Sequence, residues 1–150
     1  MDQDHLYMNL ALAEANKAAS EGEVPVGAVV VLGDRVIGKG RNHREAKLDI
    51  SSHAEIEALK AAAKSLGKWD LSGCALYVTL EPCLMCSGAI MQSRITRLVY
   101  GADDLKKGAV TSNFYVFDDP KAESHPLINK GILKDESEQL LSSFFASQRK

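Results

Sequence analysis

Residues 75–86 read ALYVTLEPCLMC, which joins a β-strand pattern directly to two cysteines three positions apart. The run 75–80 is rich in β-branched, aromatic and other apolar side chains, as in a buried strand. Pro82 suits the first residue of a helix, since its missing N–H leaves no hydrogen bond unmade there. We therefore expect a strand that ends near Leu80 and a helix that begins at Pro82.

The two cysteines, Cys83 and Cys86, are expected to share one side of that helix, because positions i and i+3 are neighbours on a helical surface. They also lie at the helix N-terminus, where the macrodipole favours thiolates. A third cysteine, Cys74, is interpreted as a small buried residue ahead of the strand. The odd count of 3 excludes a complete disulfide framework. A redox pair, half of a metal site and accidental core residues all remain open at this point.

The composition is that of a globular protein, with 45% hydrophobic and 25% charged residues in 150 positions. We expect one domain over residues 1–150. The apolar runs are shorter than the about 18 residues of a membrane span, and residues 1–4 do not resemble a secretion signal. A cytoplasmic location without membrane association is therefore expected. The net charge of −2 argues against a protein that holds nucleic acid by charge alone.

Five short apolar runs predict β-strands, at residues 29–32, 35–37, 75–80, 98–100 and 127–128. The first two are separated by a tight-turn pair, residues 33–34, and form a hairpin that Gly38 and Gly40 are expected to close. The strand–helix–strand order from 75 to 100 implies a parallel, right-handed crossover. Residues 41–51 are expected to form a polar loop, and residues 102–126 mostly loop and short helix. An α/β/α arrangement fits this pattern best.

Three further segments have helical periodicity. Residues 4–20 form an amphipathic pattern, with Leu6, Leu10, Ala13 and Lys17 along one face. A second helix opens at residues 52–55 and ends at Gly67. In the last helix the spacing of Leu140, Leu141 and Phe144 predicts a buried stripe. Phe145 lies beside this stripe and is expected at the rim of the functional site.

His53 is the histidine with a chemically suitable neighbour, because Glu55 follows two residues later at a predicted helix start. A histidine ligand beside a free carboxylate suits hydrolysis by a metal-activated water. The pattern H-x-E followed by P-C-x-x-C is the signature of zinc nucleobase deaminases. Alternatively, Glu55 closes a capping box with Ser52. The joint pattern favours zinc held by His53, Cys83 and Cys86 with Glu55 as the catalytic residue; His5 and His43 are expected to be solvated.

The chain also resembles the bacterial tRNA-specific adenosine deaminases over nearly its whole length. The segments that carry this resemblance are residues 23–28, 40–42, 53–55, 77–83, 86–89, 93–95, 100–102, 131–133 and 144–145. The resemblance implies a three-layer α/β/α cytidine deaminase-like fold with a five-stranded mixed sheet, and a homodimer. It also implies one Zn²⁺ per subunit and the hydrolytic conversion of adenosine to inosine at the wobble position of a tRNA anticodon, by attack of zinc-activated water at C6.

The resemblance further implies a set of substrate contacts. Asn42 is expected to touch the flipped base, and the anticodon stem-loop is expected to contact Asp103, Asp104, Lys106, Phe145 and Arg149. Two segments depart from the family pattern. Residues 49–52 read DISS, without the proline that relatives often carry, and residues 124–126 read SHP, without a commonly found arginine that would contact phosphate.

Three functions remain to be separated. The first is a tRNA adenosine deaminase, which the flanking segments and the tail favour. The second is a deaminase of free bases or nucleosides such as guanine or cytosine, which would use the same zinc site. The third is a zinc-stabilised RNA-binding module without catalysis, which would require four protein ligands and would have no need of Glu55.

Overall fold

The computed structural model describes residues 2–148 and contains a five-stranded mixed β-sheet with helices on both faces. The strands are β1 (Gly27–Leu32), β2 (Arg35–Arg41), β3 (Cys74–Leu80), β4 (Arg97–Ala102) and β5 (Leu127–Lys130). The helices are α1 (Gln3–Ser20), α2 (Arg44–Lys47), α3 (Ala54–Leu66), α4 (Leu84–Gln92) and α5 (Lys134–Gln148), with a 3₁₀ turn at Val116–Asp118. The predicted fold class is confirmed.

The sheet order is β2-β1-β3-β4-β5. Strand β1 is antiparallel to both β2 and β3, whereas β3, β4 and β5 are parallel. The crossover β3–α4–β4 is therefore the parallel connection that the sequence predicts. The carboxyl ends of β2, β3 and β4 consequently meet at one edge of the sheet, which is where open α/β sheets bind their ligands.

Two apolar clusters hold the layers together, one on each face of the sheet. On one face α3 and α4 pack on alternate residues of the central strands, among them Val30, Leu76 and Leu98. On the other face α1 packs on the intervening residues, among them Val29 and Val99. This alternation follows from the two-residue period of a strand.

Strand β2 runs through Gly38 and Gly40 to Arg41, so the prediction that these glycines close the hairpin is wrong. Gly38 lies so near α3 that a Cβ there would overlap the carbonyl oxygen of Ala58. Glycine is therefore present because the helix backbone approaches the strand closely. This contact sets the depth at which α3 sits on the sheet.

The face that α1 buries differs from the predicted one. Leu6 is 48% exposed, whereas Tyr7, Met8, Ala11 and Ala15 are buried. Small alanine side chains allow the helix to approach β1 closely, and this selects a face that leucine spacing alone does not identify. The existence of the helix is confirmed, but its predicted orientation is wrong.

The start of α4 and the buried face of α5 also require correction. Helix α4 begins at Leu84 with Cys83 at its N-cap, so Pro82 lies before the helix rather than at its first position. The Pro82 carbonyl accepts a hydrogen bond from Ala109 N–H at 2.8 Å, which keeps this residue in an extended segment. In α5 the predicted stripe of Leu140, Leu141 and Phe144 is only half-buried. The residue of this helix that is buried is Ser137. Within residues 2–148, no helix has the length and apolarity needed to cross a membrane.

Candidate metal and active site

Three potential metal ligands converge at the edge where β2, β3 and β4 end. Nδ1 of His53 lies 3.5 Å from Sγ of Cys86 and 3.8 Å from Sγ of Cys83. The three donor atoms all lie within 4.8 Å of one another. His53 is the N-cap of α3 and Cys83 the N-cap of α4, so two helix N-termini point at the cluster. The structure thus brings together the three residues that the sequence predicts as ligands.

The spacing of these donors suits a tetrahedral zinc ion. Zn–S and Zn–N bonds of about 2.3 and 2.1 Å at tetrahedral angles place sulfur and nitrogen about 3.6 Å apart. The observed separations of 3.5 and 3.8 Å agree with that value. Three protein ligands also leave one coordination position for water or substrate, as in catalytic zinc sites.

The electrostatics of the cluster favour the thiolate form of Cys83. Hydrogen bonds from Cys86 and then from His53 lower the pKa of the Cys83 thiol to about 3. A thiolate is the form of cysteine that coordinates metals. The partial positive charge at the start of α4 acts in the same direction.

Glu55 lies beside the cluster on the first turn of α3 and is 4% exposed. Burial, followed by the neighbouring Cys83 thiolate, raises the pKa of its carboxyl group to about 7. A carboxyl group with such a pKa can both take up and return a proton near neutral pH. Ser52 faces Asp49, at 3.4 Å, instead of capping α3, so the capping-box interpretation of Glu55 is wrong.

The cluster lies in a pocket of about 630 Å³. Its walls include His53, Glu55 and Cys83 together with five of the predicted substrate-contacting residues: Asn42, Asp103, Asp104, Lys106 and Phe145. The sixth, Arg149, lies outside the described residues. The pocket walls also include Val24, Val26 and Lys107, which the motif analysis does not assign a role.

Asn42 follows the end of β2 and faces this pocket. Its Oδ1 accepts a hydrogen bond from Arg44 N–H at 3.1 Å, and its Nδ2 lies 3.5 Å from the carbonyl oxygen of Val24. The first contact fixes which way the amide points. The amide group of Asn42 is therefore held in one orientation at the pocket wall.

His43 is not solvated as the sequence analysis predicts. Its side chain is 20% exposed, and Nδ1 lies 2.8 Å from Oε1 of Glu57 on α3. Its Nε2 lies 3.6 Å from Glu21 at the end of α1. The His43 N–H also donates to the Ser52 carbonyl at 2.9 Å, which places His43 beside the start of α3, and no local sequence pattern encodes that contact.

The rim of the pocket carries charges and one aromatic ring. Asp103 forms an ion pair with Lys130 at 3.3 Å, and the carboxylate of Asp104 accepts the backbone N–H groups of Lys106 and Lys107 at 3.1 Å each. Phe145 is 44% exposed, which agrees with its predicted place at the rim. Lysine side chains and an exposed ring suit a nucleic-acid loop better than a small free base.

Comparison with known proteins gives consistent matches over at least 90% of the chain. The family model of MafB19-like deaminases matches residues 1–146. A tRNA-specific adenosine deaminase from Haemophilus influenzae is 48% identical over 147 residues, covering 97% of this chain and 85% of that protein. A tRNA-specific adenosine deaminase from Bacillus subtilis is 41% identical over 150 residues, covering 100% and 93%. A solved structure from a study of A-to-I editing by tRNA:A34 deaminases at the wobble position of transfer RNA has a TM-score of 0.88 and 45% identity, covering 90% of this chain and 98% of that chain.

Proposed function

Because the chain belongs to the family of bacterial tRNA-specific adenosine deaminases, we propose that it is a zinc-dependent hydrolase that converts adenosine to inosine at the wobble position of a tRNA anticodon. The observation that carries this proposal is the His53, Cys83 and Cys86 cluster beside Glu55, in a pocket lined by the residues predicted to contact RNA. The whole chain acts as one deaminase domain in this proposal.

The residues present fit one zinc ion per subunit. One imidazole nitrogen and two sulfurs form a donor set that binds zinc in preference to harder cations such as magnesium. Bound there, zinc lowers the pKa of a water molecule towards neutrality and so supplies a nucleophile. His53, Cys83 and Cys86 would hold the ion, next to the buried carboxyl group of Glu55.

Glu55 moves the protons of the reaction. Its carboxylate accepts a proton from the attacking water and passes a proton to N1 of the adenine ring. It next takes the proton of the hydroxyl group now bonded to C6 and gives it to the departing exocyclic nitrogen as the C6–N bond breaks, so that water and adenosine give inosine and ammonia. Burial of Glu55 keeps bulk water from competing for these protons.

The substrate in this proposal is an anticodon stem-loop with the wobble base turned out of its stack. Asn42 contacts the flipped base, and the stacked bases and phosphates of the loop meet Phe145, Lys106, Asp103, Asp104 and Arg149. A base in a loop leaves its stack more easily than one in a duplex. The lysines supply the local positive charge that the net charge of −2 does not provide.

We also propose that the protein is a cytoplasmic homodimer. Membership of this family supports a second subunit, and Leu84 and Phe114 are exposed apolar side chains outside the pocket lining that such a partner would cover. Sedimentation of the zinc-loaded protein tests this part of the proposal. A monomer at micromolar concentration would contradict it.

A panel of substrates tests the activity. Zinc-loaded protein is incubated separately with an anticodon stem-loop carrying adenosine at the wobble position, free adenosine, guanine and cytosine, and ammonia release is measured. We expect release from the stem-loop and little from the other three. Faster release from guanine or cytosine would identify a free-base deaminase, and no release from any would favour a non-catalytic RNA-binding module.

A further inference from the structure

Glu81 is a buried carboxylate, 2% exposed, between the end of β3 and the first cysteine ligand. A buried charge is costly unless hydrogen bonds replace its lost water. Its two oxygens accept five hydrogen bonds from one loop, given by the backbone N–H groups of Asp104, Val110, Thr111 and Ser112 and by the hydroxyl of Ser112. The backbone bonds are 2.8 to 3.1 Å long.

The donors all belong to residues 103–112, here called the pocket loop. Turns and coil make up this segment, so contacts with other parts of the chain determine its position. Asp103, Asp104, Lys106 and Lys107 on the loop line the pocket. The place of these charges relative to the zinc site therefore depends on what anchors the loop.

Gly108 shows how closely the loop packs on this carboxylate. A Cβ at position 108 would overlap Cδ of Glu81, and it would lie 2.5 Å from the carbonyl oxygen of Asp104. Space around Glu81, rather than a left-handed backbone, explains the glycine. A second bond, from Ala109 N–H to the Pro82 carbonyl at 2.8 Å, joins the loop to the same segment.

We propose that Glu81 is a positioning residue that holds the pocket loop in register with the cysteine ligands, so that the RNA-facing charges and the metal site keep a fixed separation. The proposal rests on the proposed function for the identity of the substrate. Glu81 does not transfer protons in this account, because the loop occupies both of its oxygens and Glu55 is the free carboxylate. Its effect reaches the substrate through the loop.

Replacement by glutamine gives a specific expectation. An amide oxygen at the place of Oε2 keeps the three backbone donors of residues 110–112. The amide nitrogen at the place of Oε1 then faces Asp104 N–H, donor against donor. The change therefore loosens the Asp104 end of the loop, which is the end that lines the pocket.

The test uses zinc-loaded Glu81→Gln, with kcat and KM measured on the anticodon stem-loop and amide hydrogen exchange measured along the chain. We expect KM to rise about tenfold while kcat stays within about twofold of the wild type. A loosely held loop should weaken binding of the substrate and of the transition state equally, which changes KM and not kcat. Exchange should accelerate at Asp104, and zinc content should be unchanged. Unaltered KM and exchange, a fall in kcat alone or loss of zinc would each overturn the proposal.

Two further variants sharpen the test. Glu23→Gln is a matched control, because Glu23 is a buried carboxylate that accepts the N–H groups of Glu45 and Ala46 in α2 at 3.0 and 2.8 Å. Its exchange should accelerate at those amides and not in the pocket loop. Acceleration of the pocket loop to the same extent in both variants would show a general loosening and contradict a local role for Glu81.

Gly108→Ala keeps the carboxylate of Glu81 but pushes it out of position. This variant carries the test alone if Glu81→Gln does not fold. Gly108→Ala should raise KM in the same way. In the double variant Glu81→Gln/Gly108→Ala, KM should rise by less than the product of the two single increases, because both changes disturb the same contact. Unchanged KM and exchange in Gly108→Ala would overturn the proposal. Absence of stem-loop deamination by the wild type would defeat the proposed function instead, while hydrogen exchange would still decide whether Glu81 anchors the loop.

Discussion

Nδ1 of His53 and Sγ of Cys86 lie 3.5 Å apart although 33 positions separate them in the chain. They meet because α3 and α4 both begin at the edge where β2 and β3 end. The fold therefore converts two short, distant motifs into one donor cluster. Cys83 completes the cluster from the N-cap of α4.

Removal of either cysteine of the cluster should remove the metal. Cys83→Ala and Cys86→Ala are expected to purify with less than a tenth of the zinc of the wild type, because two ligands hold zinc far more weakly than three. Both should also unfold at lower temperature, since metal binding contributes to folding free energy. Elemental analysis of the purified proteins measures the zinc content.

Cys74→Ala is the matched control, because Cys74 is 1% exposed in the core, away from the cluster. It should keep its zinc and lose stability only through the small cavity. Zinc retained in Cys86→Ala, or lost in Cys74→Ala, would contradict the ligand assignment.

The substitution Glu55→Gln should abolish turnover while the zinc stays bound. The amide keeps the shape of the side chain but cannot accept a proton, and positioned acid–base groups contribute about 10²- to 10⁴-fold to rate. Single-turnover deamination and zinc analysis of the same preparation check this. Glu138→Gln, at an exposed carboxylate on α5, should leave both unchanged. Near-normal turnover in Glu55→Gln would remove it from the mechanism.

Phe145 should act in RNA binding rather than in the chemistry. Replacing it with alanine should raise KM for the stem-loop about tenfold, since stacking of a base on an aromatic ring contributes about 1–3 kcal/mol. The value of kcat should change little, as expected for uniform binding. Phe144 provides the control, because it is half-buried. Its ring packs edge to face on that of Phe145, with 5.5 Å between the ring centroids. Phe144→Ala should mainly lower stability; an unchanged KM in Phe145→Ala would place the RNA elsewhere.

The ion pair between Asp4 and Arg97 should make stability depend on pH. Arg97 donates to both carboxylate oxygens at 2.8 and 2.7 Å, and Tyr77 adds a hydroxyl bond at 2.6 Å. The hydrogen bonds from Arg97 hold the pKa of the Asp4 carboxyl below its usual value. A lowered pKa stabilises the fold above the unfolded value of about 3.9, and this contribution is lost as pH falls through the folded pKa.

Asp4→Asn should therefore lower the free energy of unfolding by about 1–3 kcal/mol at pH 7, and the difference from wild type should shrink below pH of about 4. Urea unfolding of both proteins at pH 7 and pH 3 measures this. Asp34→Asn, in the exposed turn of the hairpin, should have little effect at either pH. A deficit that is equal at both pH values would show that the ion pair is not its cause.

The sheet and the metal cluster could be predicted because their signals are local. The run 75–80 and the i, i+3 spacing of Cys83 and Cys86 each specify an element without reference to the rest of the chain. His53 and Glu55, followed along the chain by the two cysteines, match in residue type and order the signature of zinc nucleobase deaminases. These features needed only the topology to bring them together.

The features that could not be predicted all depend on contacts between distant segments. The buried face of α1 is set by close packing of alanines on β1, and His43 is enclosed by Glu57 and Glu21. Glu81 gives no signal of its function in the sequence, since its five hydrogen-bond donors lie 23 to 31 residues further along. Periodicity and motifs describe neighbours in sequence, so tertiary contacts of this kind lie beyond them.

Sequencing of a treated anticodon stem-loop tests the central claim most directly. The purified zinc-loaded protein is incubated with a stem-loop that carries adenosine at the wobble position and at other loop positions, and the RNA is then reverse transcribed. The account predicts that adenosine is read as guanosine at the wobble position alone, and that zinc-loaded Glu55→Gln leaves it as adenosine. Unchanged adenosine with the wild type, or equal conversion by the variant, would contradict it.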